Sequence, residues 1–125
     1  MARQLDRAAE FAGQGVRICK DVGYSYGLSW GLRALGRIAV ARGSLSEAEA
    51  HLTEALHTFR SIEAHAEEAR THLALAELAQ VRNDRDAITA HLTEALRLCK
   101  ALVIPKYTER TEAMAREWGV GPISA

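Results

Sequence analysis

The chain has 125 residues, charged side chains that balance to a formal net charge of zero, and only 6% aromatic residues. That length fits one domain with a real if elongated core, and the neutral balance removes the steering that nucleic acid or an anionic membrane surface exploits. No apolar run approaches the roughly 20 residues of a membrane span, and Met1-Ala2-Arg3-Gln4-Leu5-Asp6 runs straight into charged amphipathic sequence rather than a secretory signal, so a cytoplasmic protein is expected.

Helix formers dominate, and the two prolines, Pro105 and Pro122, interrupt no periodic segment. A first helix is expected over residues 5–20, with Leu5, Ala8, Ala12, Val16 and Cys19 on one face and a glycine cap at Gly23. A second, over 25–42, carries the stripe Leu28, Leu32, Leu35 and Ala39, and its Gly31 and Gly36 permit close helix contact at some loss of propensity. Gly43 closes it. Ser44 opens the third helix, with Glu47 completing a capping box, and Leu45, Ala48, Leu52, Ala55, Leu56 and Phe59 form its buried face up to Ser61. The fourth helix covers 64–81 and the fifth 84–102, where Asp84 takes the cap slot of Ser44. Pro105 suits the first turn of a sixth helix reaching Trp118, and residues 119–125 read as a frayed tail.

The chain repeats itself. Ala50-His51-Leu52-Thr53-Glu54-Ala55-Leu56 recurs unchanged as Ala90-His91-Leu92-Thr93-Glu94-Ala95-Leu96, 40 residues later. Leu35, Ile38 and Ala39 have Leu75, Leu78 and Ala79 at the same offset, and Gly43-Ser44 answers Asn83-Asp84. A period of that size filled with helix formers marks a helical repeat array. Short links between the helices force antiparallel neighbours, so the expected fold is all-α, a right-handed superhelical solenoid of antiparallel helix pairs. Within a single domain over 1–125, residues 5–20 form the second-type helix of an incomplete repeat. Residues 25–61 and 64–102 are repeats, and 105–118 is a C-terminal capping helix in which Tyr107, Met114 and Trp118 belong to the core.

Little points to chemistry. Cys19 and Cys99 lie two periods apart with Phe59 midway, which marks a packing slot holding reduced thiols. His51 and His91 are equivalent residues that the repeat translation separates, and His65 and His72, which share a helix face, have no third ligand. The serines in the short turns act as caps, and there is no acyl-transfer constellation or glycine-rich phosphate loop. No enzyme activity, metal or cofactor is expected.

These residues resemble a tetratricopeptide repeat. Leu32, Leu35-Gly36 and Ala39 match the core pattern of that family's first helix, and Ala48, Leu52 and Ala55 that of its second. The second copy supplies His72, Leu75-Ala76, Ala79, Ile88, Leu92 and Ala95; the opening helix fits through Ala8, Ala12 and Gly15. The family period is about 34 residues, so this longer one implies helices extended by nearly a turn each, and the customary proline near the repeat end is missing. The long variety is similar to repeat segments of large bacterial ATP-binding transcription regulators and cyclases.

In that family the first helix of each repeat lines a concave groove. Here that face carries Tyr26, Trp30, Arg33 and Arg37, and one period on Arg70, Leu73, Glu77 and Gln80. The resemblance implies a non-enzymatic scaffold holding a peptide, helix or neighbouring domain there, with the rings as rigid contacts and the arginines on carboxylates. The alternative is a structural or regulatory module of a larger signalling protein, forming a homodimer through an uncapped N-terminal flank that includes Leu5, Ala9, Val16 and Ile18. A small-molecule effector in the groove is a lesser third reading.

Overall fold

Left-handed backbone residues punctuate the chain. The computed structural model of the protein describes residues 2–124, and among these there are six α-helices and no strand. The helices are α1 (Ala2–Val22), α2 (Ser25–Arg42), α3 (Leu45–Ser61), α4 (His65–Val81), α5 (Arg85–Ala101) and α6 (Pro105–Glu117). Gly23, Gly43, Glu63, Asn83 and Val103 have φ of 72, 79, 57, 56 and 54°, one such residue every 20 positions. Each sits just beyond a helix end, where orphan carbonyls need donors. Ser44 N–H donates to Ala39 at 2.9 Å, Asp84 N–H to Ala79 at 3.0 Å and Ile104 N–H to Cys99 at 2.9 Å. The 40-residue repeat is therefore a pair of 20-residue helix-and-turn modules.

The chain divides into two compact units, Met1–Glu63 and Ala64–Ala125. In the first, α1 packs on α2 and α2 on α3. Glycines set the spacing on both sides of α2. A Cβ placed at Gly31 would lie 2.7 Å from Val16 Cγ2, and one at Gly36 would lie 2.5 Å from Leu52 Cγ. Leu52, Ala48, Ala55 and Phe59 of α3 are fully buried, and Asp6 of α1 pairs with Arg42 at the end of α2.

In the second unit, α4 packs on α5 and α5 on α6. Leu73, Ala76 and Ala79 join Ile88, Leu92 and Ala95 of α5, with Met114 and Ala115 of α6 closing the cluster. Tyr107 and Trp118 pack against it. Burial of apolar surface, worth about 25 cal/mol per Å², is what holds these faces together.

Three local expectations are corrected. Ser44 makes no side-chain cap bond; Glu47 Oε1 lies instead 3.6 Å from His51 Nε2, one turn on. Asp84 does cap α5, accepting from Ala87 N–H at 3.1 Å. The expected frayed tail folds back, since Val120 and Ile123 pack against the core cluster and Val120 N–H donates to Ala115 at 3.0 Å. The first helix also runs a turn longer than its apolar stripe, because nothing breaks the backbone before Gly23. No helix among the described residues is long and apolar enough to cross a membrane.

Candidate functional site

The spacing of four, three and four residues keeps Tyr26, Trp30, Arg33 and Arg37 along one side of α2. Phe59, fully buried on α3, lies beneath them. The Tyr26 ring meets Phe59 edge-on at 6.0 Å and the Trp30 ring at 6.5 Å. The Arg33 guanidinium carbon sits 4.4 Å from the Trp30 ring centroid and 5.0 Å from that of Phe59. Cation and rings lock one another in place.

This changes the role expected of Arg33. It is 5% exposed, so its planar group serves as packing between two rings and is turned away from the solvent-facing surface. Tyr26 and Trp30 remain 38% and 39% exposed on top of it, and Arg37, one turn further, is exposed. Tyr24, 55% exposed and 6.5 Å from Tyr26, extends the same line of rings. Together they make a stiff aromatic ledge with a cation at one end.

The α4 residues are spent differently. Arg70 donates to Glu67 Oε1 at 3.2 Å and lies 5.6 Å over the Tyr107 ring. Leu73, expected on a partner-facing surface, is a core residue at 4% exposure, because the apolar face of α4 is wide enough to reach it. Glu77 is half-buried and Gln80 exposed. On α1, Val16 is buried against Gly31 of α2 and so is withdrawn from any open flank, Leu5 and Ala9 are half-buried, and Ile18 is exposed.

A histidine pair was hidden in the repeat. His72 of α4 and His91 of α5 bring their Nδ1 atoms to 3.1 Å, with ring centroids 5.3 Å apart. Burial pushes the His91 pKa down, and the Asp84 carboxylate partly opposes that. His65 lies with Nδ1 3.2 Å from Glu68 Oε1. Among the described residues no three His, Cys, Asp or Glu side chains converge as a metal-ligand set. Both cysteines are free thiols, and burial pushes the Cys99 thiol up, away from the reactive thiolate.

Comparison with protein-family models, with curated proteins and with solved structures finds no match for this chain.

Proposed function

We propose that this protein is a non-enzymatic protein-interaction module, and that the ledge on α2 takes an acidic peptide or helix carrying an apolar anchor side chain. The observation that carries this reading is the half-exposed Tyr26–Trp30 pair held rigid by the buried Arg33 and Phe59. Aromatic rings fixed in advance offer contact area at little entropic loss, which is why Tyr, Trp and Arg are enriched where binding energy concentrates. Exposed Arg37 supplies the charge that selects an acidic ligand.

The 20-residue modules and the core positions they share support a tetratricopeptide-like reading, with residues 25–61 and 64–102 as successive repeats of a solenoid acting in the cytoplasm. On that reading no cofactor is required. The test is selection of a displayed random-peptide library against the full chain. Acidic peptides with an aromatic or aliphatic anchor should emerge, and Trp30→Ala and Arg37→Glu should each weaken them at least about tenfold, a loss of 1.4 kcal/mol, with helicity unchanged. Peptides that bind both variants as well as the parent would overturn the proposal.

A further inference from the structure

The first helix presents a second surface, on the side away from Val16. Ala8, Phe11, Gly15, Ile18 and Val22 follow one another at intervals of three, four, three and four, the heptad spacing that makes a continuous seam. Phe11 is 68% exposed, Ile18 62% and Val22 71%, and Ala8 is exposed as well. A Cβ built at Gly15 meets nothing within 4 Å, so the middle of the seam is an open notch. Large apolar side chains aligned along three turns are not ordinary scattered surface residues. The equivalent residues two helix pairs later, 80 positions on, are covered: Ile88 and Leu98 of α5 are 3% and 6% exposed, and Leu98 packs with Ala69 of α4.

We infer that two copies of this chain associate through α1, antiparallel about a two-fold axis near Gln14, each copy inserting Phe11 into the notch at Gly15 of the other. The sequence of α1 is self-complementary in that register. Knobs-into-holes packing of an antiparallel pair sets Ala8 against Ile18 of the second copy and Phe11 against Gly15, and the axis repeats both layers. Each of these four central layers thus joins a large residue to a small one, the arrangement that fills a seam without voids or overlap, while Val22 falls opposite Gln4 of the second copy at either end. On the open side of the seam the same register brings Arg7 beside Asp21 of the second copy, Asp21 beside Arg7, and Gln14 beside its own equivalent. Both charged residues are exposed on α1. The opposite side, Leu5, Ala12 and Cys19, is half-buried and turned toward α2.

An interface of one helix on one helix is small, so a weak dimer in the micromolar range is expected. Sedimentation equilibrium of the full chain over a broad concentration series reads it. Phe11→Glu should weaken the dimer at least about a hundredfold, since it removes two buried rings per dimer. Gly15→Leu should also weaken it tenfold or more, although it adds apolar surface and a better helix former; undirected sticking would instead tighten. Arg7→Asp and Asp21→Arg should each self-associate at least tenfold less well, while their equimolar mixture restores a heterodimer near the parent's affinity. Circular dichroism of each variant checks that α1 still folds. A monomeric parent at every concentration, a Gly15→Leu chain that dimerises more tightly, or a mixture no better than its components would overturn the inference. None of these changes touches the ledge on α2, so the two proposals fail separately.

Discussion

His72 and His91 share one proton between facing nitrogens: their Nδ1 atoms are 3.1 Å apart, so one ring donates and the other accepts. This holds only while the accepting ring is neutral. His91 is pushed toward neutrality by burial, which makes the packed state of the second unit a poor place for a second proton.

The consequence is a pH dependence with a definite sign. Above the ordinary histidine pKa of about 6.5 the ring is neutral whether the chain is folded or not, and His91 contributes nothing to the slope. Below it the unfolded chain takes up a proton that the folded one resists, so stability falls with pH until the lowered folded value is passed. His91→Gln should lose less stability than the parent between pH 7.5 and pH 5 in matched urea titrations. Parallel curves for the two proteins would contradict this role.

Gly36 tests the packing of α2 on α3. A methyl group there meets Leu52 Cγ at 2.5 Å and the Leu52 backbone nitrogen at 3.3 Å, so the helix cannot yield by a rotamer change alone. Overpacking costs about 1–3 kcal/mol, against a propensity gain of about 1 kcal/mol. Gly36→Ala should therefore lower stability by about 1 kcal/mol in denaturant melts, whereas the same substitution at Gly15, open to solvent, should raise it.

The turns offer stabilising changes. Val103 is 78% exposed at φ 54°, a β-branched residue in a conformation that disfavours it by about 1–2 kcal/mol. Val103→Gly loses no packing and should raise the unfolding free energy by about 1 kcal/mol. Ala64 occupies the cap position that Asp84 fills in α5 and makes no side-chain cap bond. Ala64→Asp should add a similar amount.

Arg33 and Arg37 should separate folding from binding. Arg33→Ala removes the cation between Trp30 and Phe59 and should lower stability by about 2 kcal/mol, with Trp30 losing its fixed orientation. Arg37→Ala is a surface change and should stay within about 0.5 kcal/mol of the parent. Equal effects on melting temperature would remove the distinction between support and contact.

Much of the fold was legible because helix ends are written in local chemistry. Gly43, Asp84 and Pro105 carry their own signals, and the boundaries of α2 and α6 follow from them. The 20-residue half-period was not visible, because Glu63 and Val103 occupy left-handed positions where only glycine or asparagine would announce a turn. The face of α2 was readable from spacing, yet the burial of Arg33 was not: it depends on Phe59, 26 residues away in sequence. The histidine pair was hidden for a related reason, since His91 repeats His51 while its partner His72 replaces Leu32. Of the α1 flank expected from the sequence, Ile18 is exposed while Val16 packs on α2, and the exposed Phe11 and Val22 were not singled out because they fall outside the main apolar stripe.

The most direct test of the interaction reading is where a selected peptide lands. Amide chemical-shift mapping of the full Phe11→Glu chain, titrated with the tightest acidic ligand, locates it without interference from self-association. The account predicts that the largest changes fall on Tyr26, the Trp30 indole and Arg37, and that they vanish in the Arg37→Glu background. Changes centred on α5 or α6, with the Trp30 indole unmoved, would contradict it.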